Sequence, residues 1–277
     1  MNDEYQLYHY TSLEVIKCIF EDYTPENLYL TFGATNCAYM NDPREISEGI
    51  DLIKDAIENI SCPILKDRAK VILDCENLKD MMLIGSAISS NLGVAYAISF
   101  TRNCDNINMW RMYGNEGRGV VLGFDSNQIK SENCDLSDCI YNCEKDYDSI
   151  VNTLQEGMEL FFSKLGQPLF DISQRDYDLV RSLEAIGVIA ARIKNGIYSY
   201  EKGTRLITNC KTSKFRVIND ILTPFTIIKL PLDSLKSIAI GPDCDKRNIN
   251  TLRLFFMSKG LRHLADNIIE SEIPYRN

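Results

Sequence analysis

The stretch Arg205–Ile240, RLITNCKTSKFRVINDILTPFTIIKLPLDSLKSIAI, decides the fold class. Four short apolar and β-branched segments crowd into it: Arg205–Cys210, Phe215–Asn219, Phe225–Leu230 and Leu235–Ile240. Connections of a few residues join neighbouring antiparallel strands, whereas a parallel neighbour needs a crossover of about a dozen residues or more. The sequence therefore predicts an α+β chain with a mixed or antiparallel sheet core, not a doubly wound sheet.

Working outward, Tyr5–Tyr10 and Leu28–Phe32 read as strands. Thr11 opens a helix from about Ser12 to Phe20, with Glu14 at the capping-box position. Asp42 is placed to cap the helix that Pro43 would begin, and Arg44 and Glu45 flank it. A further helix runs from Pro63 to about Met82. Val94–Phe100 is a strand, Asn108–Tyr113 a short helix stopped by Gly114, and Arg118–Asp125 a strand buried on both faces. Gly119 and Gly123 within that strand point to close approach of backbone or ligand. Residues 245–260 form a last helix, with Gly260 past its end. The chain shows no repeats. It reads as one domain over residues 1–277, with helical insertions at about 45–92 and 147–197.

Composition narrows the function classes. The 277 residues are 45% apolar and 25% charged, ordinary values for a globular chain. Thirty-nine acidic against 30 basic residues give a net charge of −9, which argues against long-range steering of a polyanion but leaves room for a local basic groove. No apolar run approaches the roughly 20 residues of a membrane helix, and the N-terminus lacks a signal-peptide pattern, so a cytoplasmic chain with no membrane partner is expected. Ten cysteines contain no CxxC pair. Cys134, Cys139 and Cys143 cluster at gaps of five and four without a fourth ligand nearby, so reduced thiols are expected and no metal. Neither a phosphate-binding loop nor a GxGxxG fingerprint is present, and no acidic cluster suits two-metal chemistry.

Rare side chains mark the candidate site. The chain has two histidines and one tryptophan, and His9 and Trp110 fall in the motifs Tyr8-His9-Tyr10-Thr11 and Met109-Trp110-Arg111-Met112-Tyr113-Gly114. A polar corner between strand and helix, with exposed backbone N–H groups, suits a small-molecule site. Each residue also has a structural role open to it. His9 can be a satisfied structural histidine, Trp110 and Tyr113 core anchors, and Arg118 and Arg205 ion-pair partners.

In order along the chain stand LYHYTS, NDPRE, a strand ending in Ser-Phe, MWRMYG, GRGVVLGFD, an acidic segment before RLI, AIGP and a terminal PYR. This set resembles the domain of unknown function 2971 family from Leu7 to Arg276. The opening Tyr-His-Tyr-Thr before a capped helix is also similar, more distantly, to the ADP-ribosyltransferase-like superfamily. That second resemblance implies a sheet core of ADP-ribosyltransferase-like type and NAD as substrate. His9 and Thr11, with Tyr8, would hold the nicotinamide end, while Asn41, Asp42 and Ser99 would line the cleft. Trp110 and Tyr113 would stack near the pocket, and Arg111 and Arg118 would take the pyrophosphate, with Arg205 behind. A Glu-x-Glu pair would supply the catalytic carboxylate, and here Glu201 holds the first position while Gly203 replaces the second Glu. Two residues apart on a strand share a face at about 6–7 Å, too far for Glu201 to substitute without a backbone shift. Two functions follow as expectations. One is an NAD-dependent transferase acting on a nucleic acid or protein, as a toxin or antiviral defence effector, and inactive if Gly203 costs it the carboxylate. The other is a non-catalytic module that binds a nucleotide or a partner.

Overall fold

The structure is a computed structural model that describes residues 6–42, 44–73, 94–129, 131–143, 146–164, 184–210, 214–218 and 220–275. The predicted helical tracts at 74–92 and 165–183 lie outside the described residues.

The first strand, β1 (Gln6–Thr11), is followed by helix α1 (Leu13–Ile19) and strand β2 (Tyr29–Asn36). Helices α2 (Glu45–Glu58) and α3 (Pro63–Leu73) lead towards β3 (Val94–Thr101), the short helix α4 (Ile107–Tyr113) and β4 (Val120–Asp125). Then come β5 (Cys134–Asp138), β6 (Ile140–Asn142) and α5 (Tyr147–Lys164), a helical segment at 184–190, and β7 (Ile193–Asn195). A 3-10 turn, Gly196–Glu201, precedes β8 (Gly203–Cys210), β9 (Lys214–Ile218), β10 (Ile221–Pro231) and β11 (Leu235–Ile240). Helices α6 (Arg247–Ser258) and α7 (Arg262–Asp266) and strand β12 (Ile268–Glu270) complete the order.

Ten strands form one sheet, with the order β12-β11-β4-β1-β3-β2-β10-β9 and β8 and β5 branching from β3. Every pairing in it is antiparallel except β11 with β12, so the fold is mixed α/β on a mostly antiparallel sheet. Strand alternation sorts β3 between two cores. Tyr96, Ile98 and Phe100 enter a core with Ile16, Ile19 and Phe20 of α1 and Leu252 and Phe256 of α6. Ala95 and Ala97 face a second core built on α2, where Ile46, Ile50, Ile53 and Ile57 recur at helical spacing. Among the described residues no helix is long and apolar enough to cross a membrane.

Two local expectations are corrected. Thr11 is the last residue of β1, and Ser12 caps α1 by accepting from Val15 N at 3.4 Å. The strand runs one residue further because Thr11 still pairs with Val120 of β4. Asp42 does not occupy the N-cap of α2, which is Arg44; its Oδ1 accepts from Arg44 N at 2.9 Å, closing the turn before the helix.

Candidate functional site

The sheet parts along one edge of β3. β3 pairs with β8 along its whole length, but its other edge is divided: β2 pairs with Tyr96 and Ala97, and β1 pairs only at Thr101. Between them Ile98, Ser99 and Phe100 face no strand of the described residues on that side. His9 fills the wedge, its Nδ1 2.9 Å from the Ser99 carbonyl oxygen and its ring edge-on to Phe32 and Phe100 at 5.5 and 5.9 Å. A carbonyl only accepts, so Nδ1 carries the proton and Nε2 keeps its lone pair. Burial lowers the His9 pKa, against a smaller opposing effect of the Ser99 bond, and the imidazole stays neutral.

A cleft of about 1330 Å³ opens at this break. Ser99 and Arg205 are register partners, so their side chains stand on one face. Beneath that face lies a buried chain of charge. Glu45 Oε2 accepts from Arg205 Nη2 at 2.7 Å, Lys194 Nζ lies 3.7 Å from Glu45 Oε1 and also pairs with Glu201 Oε2, and Tyr113 OH donates to Glu201 Oε1 at 2.7 Å. Glu45, Lys194, Glu201 and Arg205 are 3%, 7%, 4% and 2% exposed, so two acids and two bases neutralise one another away from bulk water. Burial raises the Tyr113 pKa and the neighbouring Glu201 raises it further, which keeps the phenol protonated as a donor. Burial works against the Arg205 cation, yet Glu45 holds its pKa above the usual arginine value. Cys37 is buried nearby and its thiol pKa is pushed up to about 12, mainly by burial, so it is no nucleophile at neutral pH.

Local structure sets each group. Glu201 ends the 3-10 turn, followed by Lys202 in the left-handed region (φ 46°), and its carbonyl accepts from Thr101 Oγ1. Tyr113 is the last residue of α4, whose N-cap Asn106 Oδ1 accepts from Asn108 N at 2.9 Å. Trp110 anchors that helix: its ring is fully buried 4.8 Å from Tyr10, and its Nε1 donates to Asp105 Oδ1 at 2.6 Å.

Of the residues singled out from sequence, the cleft brings together Tyr8, His9, Thr11 and Asn41 with Ser99, Tyr113, Glu201 and Arg205. It does not bring in Asp42, Trp110, Arg111, Arg118 or Gly203. Arg118 pairs with Glu116, and Arg111 lies 5.9 Å from the Tyr275 ring centroid. The strand spacing expected between Glu201 and Gly203 does not apply, because Glu201 precedes β8 and the left-handed Lys202 turns the chain between them. A Cβ at Gly203 would meet Cys139 Sγ and Tyr141 OH, each at 3.1 Å. Among the described residues no group of three or more His, Cys, Asp or Glu could hold a metal ion. Neither Lys194 nor Glu45 carries a local signal of a site in the sequence. Lys194 stands seven residues before Glu201 with no short motif joining them, and Glu45 has the pattern of a helix-start charge.

The chain is thus a mixed α/β protein whose largely antiparallel sheet opens on a cleft floored by buried charge. Residues 109–206 match the family model described as Protein of unknown function (DUF2971). The matched segment contains Tyr113, Lys194, Glu201 and Arg205. No curated protein and no solved structure matches the chain.

Proposed function

We propose that the cleft binds NAD and that the chain is an ADP-ribosyltransferase-like protein, modifying a nucleic acid or protein as a toxin or antiviral defence effector. One observation carries this reading: His9, in the break of the sheet, and the buried Glu201 carboxylate line the same cleft. The neutral His9 offers Nε2 as an acceptor for a ligand O–H or N–H, such as a ribose hydroxyl or the nicotinamide carboxamide. In the reaction the bond between ribose C1′ and the nicotinamide nitrogen breaks, and neutral nicotinamide leaves with the bonding pair. Positive charge then develops on the ribose, as in sugar hydrolysis. A carboxylate beside the ribose stabilises that charge, and Glu201 takes this role with Tyr113 orienting one oxygen. The acceptor nucleophile attacks C1′ and its proton passes to solvent water.

A second reading, a non-catalytic nucleotide- or partner-binding module, is favoured by one feature. Both Glu201 oxygens are already engaged, by Tyr113 and by Lys194, which compensates the carboxylate's charge. Nicotinamide release from NAD, with cell lysate as acceptor, separates the two. The transferase reading expects release by the full chain and a loss of about a hundredfold or more in Glu201→Gln. The binding module expects no release, with NAD stabilising the fold by about 2.7 kcal/mol at a hundredfold excess over Kd. Neither release nor stabilisation would contradict both.

A further inference from the structure

The cleft extends beyond the buried carboxylates. Past Ser99 its floor continues onto β2 and β10, where Thr35 is the register partner of Ala97 on one side and of Phe225 on the other. Opposite residues of an antiparallel pair share a face, so Ser99, Ala97, Thr35 and Phe225 line one continuous surface. Arg216 of β9 lies across it. Its Nη2 donates to Thr35 Oγ1 at 2.7 Å and the Gly33 carbonyl at 3.4 Å, and its guanidinium carbon sits 4.9 Å from the Phe225 ring centroid. Gly33 makes this seat, since a Cβ there would come within 2.7 Å of Arg216 Nη1.

The two ends of the cleft differ in charge. Lys194 and Arg205 are matched by Glu201 and Glu45. Lys214, Arg216 and Lys229 line the other end, and none has an ion-pair partner among the described residues. The acids Glu14, of α1, and Glu21 and Asp22, of the turn after it, also line the cleft; among the described residues none of them forms an ion pair with these three cations, and Asp22 accepts the Thr31 hydroxyl at 3.1 Å. Arg216 Nε is buried and has no hydrogen-bond partner among the described residues. Buried donors are normally paired, so an orphan N–H on a cleft-lining cation points to an acceptor from outside the chain. Lys214, Arg216 and Lys229 thus stand in the cleft with no direct ion pair among the described residues.

We propose that Arg216, seated over Gly33 with Lys214 and Lys229 beside it, binds a phosphate group of the ligand in this cleft. Guanidinium donors match phosphate oxygens in pairs, and the lysines add point charges. The assignment rests on the cleft being a ligand site, as above, but not on NAD being the ligand. The phosphate belongs either to the pyrophosphate of a dinucleotide or to the phosphodiester backbone of an oligonucleotide.

Calorimetric titration of the full chain with inorganic pyrophosphate, and separately with a short single-stranded oligodeoxynucleotide, tests the site. Binding is expected to weaken about tenfold or more in Arg216→Gln and about threefold in Lys229→Gln, with Arg216→Lys in between. Lys246→Gln, remote from the cleft, is expected to leave it unchanged. Arg216-dependent binding of pyrophosphate that NAD competes away identifies a dinucleotide; Arg216-dependent binding of the oligonucleotide alone identifies a nucleic acid backbone. Lys229 is exposed, so its variant carries the test if Arg216→Gln does not fold. No binding of either probe, or equal binding by both variants and the parent, overturns the proposal. Silence in the nicotinamide assay leaves this site standing, whereas nicotinamide release with Arg216-independent binding removes this site alone.

Discussion

Lys194 touches both buried carboxylates of the cleft, so its removal strands Glu201 with a single phenolic donor. Breaking a buried ion pair from one side costs about 3–5 kcal/mol because the remaining charge is left uncompensated. Lys194→Met is expected to lose stability on that scale in urea unfolding, and a loss under about 1 kcal/mol would contradict the network. Tyr113→Phe removes one hydrogen bond to the same carboxylate, with an expected cost of about 1.5–3 kcal/mol by the same measurement. His9 couples the site to pH. In the unfolded chain an imidazole takes up its proton near pH 6.5, whereas burial holds native His9 neutral to lower pH. The unfolded state therefore binds more protons just below about pH 6.5, and the stability His9 contributes is present above that value and fades as pH falls through it. His9→Gln is expected to flatten the pH dependence of the urea midpoint below about pH 6.5, by at most about 1.4 kcal/mol per pH unit. An unaltered slope would mean that the histidine titrates normally.

At the scale of elements, the β1–β4 junction depends on Gly119, where a Cβ would lie 2.2 Å from the Thr11 carbonyl and 2.7 Å from that of Gly114. Neither is a side chain that can rotate away, so Gly119→Ala is expected to cost about 3 kcal/mol or more, or to prevent folding. A Cβ at Gly157 in α5 would meet nothing within 4 Å among the described residues, and Gly157→Ala is expected to add about 0.5–1 kcal/mol by thermal unfolding. The close approach at Gly119 was legible in the sequence as glycine inside an apolar run. So were β3, β4, β8, β10 and β11, whose aliphatic and aromatic residues show themselves whether one face or both is buried, and β9, whose Phe215, Val217 and Ile218 suit a strand although they are exposed. β5 was not legible, since Cys-Asp-Leu-Ser-Asp is an acidic edge strand with no fully buried residue. β6, β7 and β12 are three residues each, too short to display a period. The same limit concealed Lys194, which sits at the centre of β7 and is positioned by tertiary packing.

Across the whole molecule, the cleft exists because β1 and β2 part along one edge of β3 while a core fills each face behind them. The sequence marked the near side of this cleft through His9, Ser99, Tyr113 and Glu201, residues whose chemistry is local. Arg111 and Arg118, expected from the sequence at a pyrophosphate, do not line this cleft, because which basic residues reach it depends on how β9 is placed beside β10 in the sheet. Arg216 arrives there through strand pairing, 117 positions from Ser99, with no local pattern to announce it. The most direct test of the cleft as a dinucleotide site is a calorimetric titration of NAD into the full chain and its His9→Ala variant. Saturable binding by the full chain that weakens about tenfold or more in His9→Ala is the expected result. Absence of binding, or binding that His9→Ala leaves unchanged, would contradict it.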